Sequence, residues 1–239
     1  MMPERLTEVV ILAGGLATRM RPLTETIPKS MLDVNGEPFI AHQLRLLRRN
    51  QITHVVLCVG YLGEQIRDYV GDGSRFDLKV DYSFDGEKQL GTAGAIKKAL
   101  PLLGDQFFVI YGDSYLDCDY QAAWKTYVKA GRLLLMTVYH NQGQWDTSNV
   151  EYGDGLIVAY SKRAKTERME YIDYGLGIFP RAAFDDLPAD TPYDLSVLYE
   201  RYLAQDQLSA HVVTTRFYEI GSFSGLEETR TYLANKEQQ

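Results

Sequence analysis

Short apolar runs alternate with amphipathic segments through the first half of this 239-residue chain. The runs EVVILA at 8–13, HVVLCVG at 54–60 and QFFVIY at 106–111 are nearly free of polar residues. Such runs are typical of strands that are buried on both faces of a parallel sheet, and the segments between them have helical periodicity. The alternation predicts βαβ units and an α/β fold, with helices on both faces of a mostly parallel sheet.

The predicted elements cover most of the chain. Helices are expected at 38–50, 62–70 and 92–100, the last stopped by Pro101, and a further strand at 78–83. The second half is richer in strands, at 133–139, 149–152, 156–160 and 171–179, and ends with helices at 194–204 and 224–234. No linker or repeat divides the chain, so we expect one continuous domain over 1–239.

Composition limits the possible partners and compartment. The formal net charge of −7 gives no reason to expect nucleic acid as a partner. Two cysteines cannot build a disulfide framework or a cysteine-rich zinc site, and no apolar stretch is long enough to span a bilayer. The first residues lack a signal-peptide pattern. These features predict a cytoplasmic protein that does not associate with membranes.

A glycine-containing loop follows the first predicted strand. Gly14 and Gly15 allow backbone N–H groups to approach an anion, and Arg19, Arg21 and Lys29 add positive charge nearby. The loop matches neither the dinucleotide fingerprint G-x-G-x-x-G nor the P-loop. By composition it is a phosphate cradle, although a glycine-rich turn with solvated basic residues would have the same composition.

The complete string from Gly14 to Lys29 closely resembles the signature G-G-x-G-T-R-x-x-P-x-T-x-x-x-P-K of the sugar-1-phosphate nucleotidyltransferase family. The one departure is Ala17, where the family usually has glycine. The resemblance implies a three-layer α/β/α nucleotide-diphospho-sugar transferase (Rossmann-like) fold with a mixed, mostly parallel sheet. It implies that Arg19 grips the outgoing pyrophosphate and that Lys29 neutralises charge at the α-phosphoryl group. The nucleotide-binding residues implied for this segment are Leu12, Ala13, Gly14, Gly15, Thr18 and Arg19.

A second glycine string, LGTAGA at 90–95, precedes a predicted helix. On its own, such a string is usually a helix start with Thr92 as the capping residue. It is similar to the family string L-G-T-[AG]-G, which lines the nucleobase pocket. The resemblance therefore implies that Gly91 and Thr92 contact the base.

Two acidic residues are candidates for a metal site. Asp113 follows Gly112 directly after the strand at 106–111, where a lone aspartate would often be only a turn residue. Glu219 stands in FYEIGS at 217–222, which resembles the family string W-x-D-x-G-T. The resemblance implies that Asp113 and Glu219 bind Mg²⁺, that Asp113 is catalytic and that Gly112 contacts nucleotide. Carboxylates suit this metal, with phosphate oxygens and water as the other ligands.

The motif for the sugar-phosphate site matches the family less closely than the motifs for the nucleotide site. YSKR at 160–163 resembles the family's E-K-P region without its glutamate and proline, which makes Lys162 a candidate for the sugar phosphate. A solvated basic turn is the alternative. Asp173, Gly175 and Asn149 lie where relatives contact the sugar.

The resemblance covers nearly the whole chain and is strongest to short muramate-1-phosphate uridylyltransferases and heptose- or mannose-1-phosphate guanylyltransferases. It implies that residues 1–120 bind nucleotide, that 121–239 bind sugar phosphate, and that the substrates are a nucleoside triphosphate and a sugar 1-phosphate. The expected assembly is a monomer or small homo-oligomer. One alternative is a cytidylyltransferase for a non-sugar phosphate or phosphonate. Another is a non-catalytic nucleotide-sugar sensor, suggested by Ala17 and Glu219.

Overall fold

The computed structural model describes residues 2–237, so Met1 and the last two residues of the predicted domain lie outside it. Within this range the chain forms thirteen strands and six α-helices. The strands are β1 Glu8–Ala13, β2 Asp33–Val34, β3 Glu37–Pro38, β4 His54–Val59, β5 Lys79–Phe84, β6 Gln106–Tyr111, β7 Ser114–Tyr115, β8 Leu134–His140, β9 Val150–Gly153, β10 Leu156–Tyr160, β11 Tyr171–Pro180, β12 Leu208–Val213 and β13 Tyr218–Glu219. The helices are α1 Phe39–Arg49, α2 Gly63–Val70, α3 Gly91–Ala99, α4 Tyr120–Ala130, α5 Leu195–Ala204 and α6 Phe223–Glu237.

A nine-stranded mixed sheet forms the centre of the molecule. The four strands of the first half run parallel in the order β6, β1, β4, β5. β11 pairs antiparallel with β6 and with β8, and β12 pairs parallel with β8. Strands from both halves of the chain therefore belong to one sheet, and the predicted α/β class with a mixed sheet is confirmed.

Helices cover both faces of this sheet, as the alternation of side chains along β1 illustrates. Val9 and Ile11 belong to a buried cluster that includes residues of α1, α2 and α4. Val10 points to the opposite face and belongs to a second cluster with residues of α3 and α5. Successive side chains of a strand point to opposite faces, so two apolar clusters require two covering layers. This is the predicted three-layer arrangement.

The parallel pairing of β1 with β6 brings two loops to one edge of the sheet. Val10 pairs with Val109 and Leu12 with Tyr111, so the two strands end side by side. Beyond that point Gly112 donates its backbone N–H to the carbonyl of Leu12 at 2.9 Å. This register therefore places both loops at one crevice.

A small two-stranded sheet brings the end of the chain to the same edge. In it, Glu219 of β13 pairs with Ser114 of β7, and Ile220 donates its N–H to the carbonyl of Asp113 at 2.9 Å. Ile220 belongs to a third apolar cluster with Leu226 and Leu233 of α6. Packing of α6 therefore holds Glu219 close to Asp113.

Most predicted elements are confirmed, with boundaries that shift by one or two residues. The helix predicted at 92–100 begins at Gly91 and ends at Ala99, and a 3₁₀ turn over Leu100–Leu102 follows it. The final helix is longer than the predicted 224–234. Strand β12 and the short strands β2, β3, β7 and β13 were not predicted. No helix within residues 2–237 has both the length and the apolar character that a bilayer crossing requires.

Candidate active site

A cavity of about 270 Å³ lies at the carboxyl ends of β1 and β6. Seven of the residues predicted to bind nucleotide line it, namely Leu12, Ala13, Gly14, Gly15, Gly91, Thr92 and Gly112. Lys29 and Asp113 line it as well. Residues that are distant in sequence therefore share one cavity, at the position where open α/β sheets bind ligands.

Thr18 and Arg19 lie next to this cavity rather than in its wall, on the 3₁₀ turn Thr18–Met20. Both are exposed, while Met20 is fully buried and anchors the turn. Ala17 precedes the turn with a φ of 49°, in the left-handed region that favours glycine. Its carbonyl accepts hydrogen bonds from Met20 N at 3.0 Å and from Thr24 Oγ1 at 2.8 Å. These bonds hold the alanine in a conformation that is unfavourable for its side chain.

The predicted catalytic side chains converge beside Gly221. Lys29 Nζ lies 2.7 Å from Asp113 Oδ2 in a partly buried ion pair. A methyl group added to the α-carbon of Gly221 would lie 3.4 Å from Asp113 Oδ2, 3.7 Å from Arg19 Nη2 and 2.5 Å from Glu219 Oε2. Two cations and two carboxylates from four separate segments thus surround one small volume.

Glu219 directs its carboxylate back onto its own loop. Its Oε2 accepts the backbone N–H of Gly221, and its Oε1 accepts the Ser222 hydroxyl at 2.8 Å. Thr229 Oγ1 of α6 donates to the Glu219 carbonyl at 3.1 Å. The Glu219 side chain, which is one methylene longer than an aspartate, therefore bends back towards its own backbone. Its carboxylate lies in the same small volume as that of Asp113.

The donor set fits a magnesium ion that takes only part of its ligands from this chain. Asp113 and Glu219 supply hard carboxylate oxygens around a common point, which suits Mg²⁺. Among residues 2–237, no group of three or more His, Cys, Asp or Glu side chains is arranged to hold a metal by itself. A cation at this point would therefore need ligands from phosphate and water, as is usual for Mg²⁺ in nucleotide enzymes.

On the side predicted for the base, Thr92 does not cap its helix. The residue before α3 is Leu90, which makes no side-chain cap, and Thr92 Oγ1 instead accepts the N–H of Leu195 at 2.7 Å. The capping interpretation is therefore wrong. Thr92 joins the cavity wall to the start of α5.

Sequence reasoning missed several residues of the cavity wall. Of these, Asp85 and Gln89 are the polar pair nearest to the glycine loop: Asp85 Oδ2 accepts the N–H of Leu90 at 3.3 Å, and Gln89 Nε2 donates to the Gly14 carbonyl at 3.1 Å. Burial raises the pKa of Asp85. Its position directly after β5, at the same edge of the sheet, was a signal that could have identified it. The other unpredicted wall residues are Ser30, Cys58, Ala95 and Tyr111.

The predicted sugar-phosphate residues form a connected group. Asn149 Oδ1 accepts the N–H of Asp173 at 2.9 Å, and Asp173 Oδ1 accepts the N–H of Gly175 at 3.0 Å. Lys162 Nζ lies 3.1 Å from Asp194 Oδ1. Burial raises the pKa of Asp173 to about 6, and the Gly175 N–H and the charge of Lys162 partly oppose that shift. Asp194, which was not predicted, also caps α5 through Ser196 N at 2.8 Å.

Tyr111 connects the two sides of the site. It lines the cavity, and burial raises the pKa of its hydroxyl well above the usual value. The charges of Asp173, Asp194 and Asp113 raise it further. A methyl group added to the α-carbon of Gly175 would lie 3.7 Å from Tyr111 Cδ2, and Leu195, next to Asp194, donates its N–H to Thr92 of the cavity wall. The predicted sugar-phosphate residues therefore adjoin the cavity that contains Lys29 and Asp113.

Known proteins resemble this chain in sequence and in fold. The sequence model of a family described as nucleotidyl transferase matches residues 8–236. The N-acetylmuramate α-1-phosphate uridylyltransferase of Neisseria meningitidis serogroup B is 33% identical over 232 residues, which cover 93% of this chain and 96% of that protein. The D-glycero-α-D-manno-heptose 1-phosphate guanylyltransferase of Campylobacter jejuni is 26% identical over 215 residues, covering 90% and 94%.

A solved structure confirms the predicted fold. It is that of a Bacillus anthracis protein provisionally assigned as a glucose-1-phosphate thymidylyltransferase, in complex with sucrose. It superposes with a TM-score of 0.84 and 19% identity, and covers 94% of each chain.

Replacing Ala17 with glycine should stabilise the protein. A left-handed conformation costs a residue with a β-carbon about 1–2 kcal/mol, and glycine removes that cost at some loss of unfolded-state entropy. We expect Ala17→Gly to raise the free energy of unfolding by up to about 1 kcal/mol in denaturant titration. Ala122→Gly within α4 is the control and should lower it by about 1 kcal/mol. Equal destabilisation by both variants would contradict the strain at Ala17.

Proposed function

The chain belongs to the nucleotidyl transferase family, and from that premise we propose that it joins a nucleoside triphosphate to a sugar 1-phosphate, releasing pyrophosphate and forming a nucleotide sugar. Uridylyl or guanylyl transfer is favoured, because those are the activities of the two relatives that match almost the full chain. The product is a precursor for cell-surface glycans. The observation that carries the proposal is the convergence of Arg19, Lys29, Asp113 and Glu219 beside the glycine loop.

The proposed reaction is a direct in-line displacement. An oxygen of the sugar 1-phosphate attacks the α-phosphorus, a new P–O bond forms, and the bond to the bridging oxygen breaks as pyrophosphate leaves with the electron pair. The attacking oxygen is already anionic near pH 7, so no side chain has to remove a proton. The chain's task is therefore positioning and charge stabilisation, which dominate catalysis of phosphoryl-type transfer.

Each charged residue has a place in this scheme. Lys29 stabilises the charge that develops at the α-phosphoryl group, and Arg19, on the exposed turn, holds the departing pyrophosphate. Asp113 and Glu219 would hold Mg²⁺, which when bound neutralises phosphate charge and orients the polyphosphate. Backbone groups of Gly112 and of the glycine loop contact the nucleotide, with Gly91 and Thr92 against the base. The contributing loop residues are Leu12, Ala13, Gly14, Gly15 and Thr18.

The acceptor occupies the neighbouring group of residues. Lys162 binds the phosphate of the sugar, while Asp173, Gly175 and Asn149 contact the sugar itself. In this division residues 1–120 bind nucleotide and 121–239 bind sugar phosphate.

A cytoplasmic location belongs to the proposal and is supported by the two free thiols, Cys58 and Cys118.

A substrate matrix tests the proposed reaction. The protein and Mg²⁺ are incubated with each of ATP, GTP, CTP, UTP and dTTP against a panel of sugar 1-phosphates that also includes phosphocholine, an inositol phosphate and a phosphonate, with pyrophosphate release as the readout. We expect release with UTP or GTP and at least one sugar 1-phosphate, and far slower release from the Asp113→Asn protein. Release only with CTP and a non-sugar phosphate or phosphonate would favour the cytidylyltransferase. Binding of triphosphate without release against any acceptor would favour a sensor.

Replacing Asp113 with asparagine should lower turnover by orders of magnitude with little loss of stability. The amide is neutral, so it can neither compensate Lys29 nor bind Mg²⁺ as a carboxylate does. We expect kcat to fall at least about a hundredfold, the order of magnitude seen when one electrostatic partner of a transition state is lost. The matched control is Asp81→Asn, which removes a partly exposed carboxylate that pairs with Lys79 at 2.6 Å outside the site. Near-normal activity of Asp113→Asn would refute the role of Asp113.

Replacing Lys162 with alanine should raise the KM for one substrate only, the sugar 1-phosphate. Loss of a charged hydrogen bond to the sugar phosphate costs about 1.5–3 kcal/mol, so the KM for that substrate should rise by about tenfold or more. The KM for the triphosphate should change less than about twofold, since binding is lost only on the acceptor side. Lys165→Ala, in the same segment, is the control. Equal changes in both KM values would remove Lys162 from the acceptor site.

A further inference from the structure

The ammonium group of Lys29 occupies an oxygen of Asp113 that a metal ion would need. We propose that Lys29 blocks the metal site of the free chain and leaves Asp113 only when a triphosphate arrives. The substrate that this site accepts is then the preformed complex of a triphosphate with a divalent cation, and the free cation is excluded. This inference rests on the proposed function and concerns the chemical form in which the nucleotide is used.

The contact between the two groups is direct and partly shielded from water. Lys29 Nζ lies 2.7 Å from Asp113 Oδ2, and the side chains are 19% and 28% exposed. The other oxygen, Oδ1, has the Ser114 hydroxyl at 3.4 Å, which is a long hydrogen bond. The strong partner of Asp113 is therefore the ammonium group, and it lies on Oδ2, the oxygen that faces Gly221.

A divalent cation cannot simply be added to this arrangement. A metal on Asp113 Oδ2 would lie within a few ångströms of the Lys29 ammonium, and like charges at that separation repel strongly. Glu219 alone is a poor substitute, because a single carboxylate would leave nearly all ligand positions of a divalent cation to water. Entry of a metal therefore requires Lys29 to leave Asp113.

The local charge balance explains why the triphosphate is the trigger. Without ligand, the positive charges of Arg19 and Lys29 compensate the negative charges of Asp113 and Glu219. A bare divalent cation would upset this balance, whereas a triphosphate complex brings its own negative charge. The phosphate gives Lys29 a new anionic partner, and the cation of the complex then takes its place on Asp113.

Only the side chain of Lys29 has to move. Its backbone is held in the 3₁₀ turn Lys29–Met31, where Leu32 N donates to the Lys29 carbonyl at 3.0 Å. The residue also lines the cavity beside Gly14 and Gly15, where the phosphates are proposed to lie. A lysine side chain has rotatable bonds enough to exchange a carboxylate for a nearby phosphate.

Metal binding without nucleotide tests the exchange. Mn²⁺, followed by its electron paramagnetic resonance signal, is titrated into the wild-type protein and into Lys29→Met and Lys29→Ala, each checked for folding by thermal melting. We expect both variants to bind Mn²⁺ at least about tenfold more tightly than the wild-type protein, because the competing cation is gone. Lys29→Arg keeps the positive charge and should bind Mn²⁺ as weakly as the wild-type protein.

Two further variants show whether the gain in Mn²⁺ affinity arises at the Asp113 site. Lys236→Met removes a lysine from another half-buried pair, with Asp117, and should produce no gain in affinity. Adding Asp113→Asn to Lys29→Met should abolish the gain. Unchanged Mn²⁺ affinity in both Lys29→Met and Lys29→Ala would overturn the inference, and so would a gain that survives loss of Asp113.

The outcomes for the exchange and for the reaction are separable. If the wild-type protein releases pyrophosphate in the substrate matrix but neither neutral variant gains Mn²⁺ affinity, the exchange is refuted and the proposed function stands. If both variants gain affinity but no substrate pair yields pyrophosphate, the exchange stands and the proposed reaction is refuted.

Discussion

The parallel pairing of β1 with β6 is the constraint on which the site depends. Because Leu12 pairs with Tyr111, the loop that begins at Gly14 and the turn that contains Asp113 leave the sheet at the same edge. A shift of one residue in this register would turn every side chain of the strand to the opposite face. The two apolar clusters on opposite faces of β1 oppose such a shift, so packing of the core fixes the position of the charged groups.

Electrostatic compensation then keeps those charged groups in place. Lys29 is held against Asp113, Glu219 against the N–H of Gly221, and Lys162 against Asp194. The first two pairings satisfy charges that are partly buried, whereas Lys162 and Asp194 are largely exposed. Each pairing can be exchanged for a contact with a phosphate or a metal. The charges of the site are therefore paired without a ligand, and the same charges suit the polyphosphate that we propose it binds.

Continuous patterns in the sequence predicted much of this, and contacts between distant segments account for most of the rest. The apolar runs located β1, β4 and β6, and the string from Gly14 to Lys29 located the glycine loop that lines the cavity, because each signal lies in consecutive residues. β12 was missed because it has no continuous apolar run, since Ser209 and His211 alternate with its apolar residues, and β7 and β13 are too short to form a pattern. The pairing of Asp194 with Lys162 depends on how α5 packs, which local sequence does not encode.

The most direct test of the account is a crystal structure of the protein with a non-hydrolysable triphosphate analogue and Mg²⁺. The account predicts one polyphosphate beside Gly14 and Gly15, with Lys29 Nζ on the α-phosphate, Arg19 on the outer phosphates, and the metal between Asp113 and Glu219. A polyphosphate bound elsewhere, with Lys29 still paired to Asp113 and Arg19 in solvent, would contradict it.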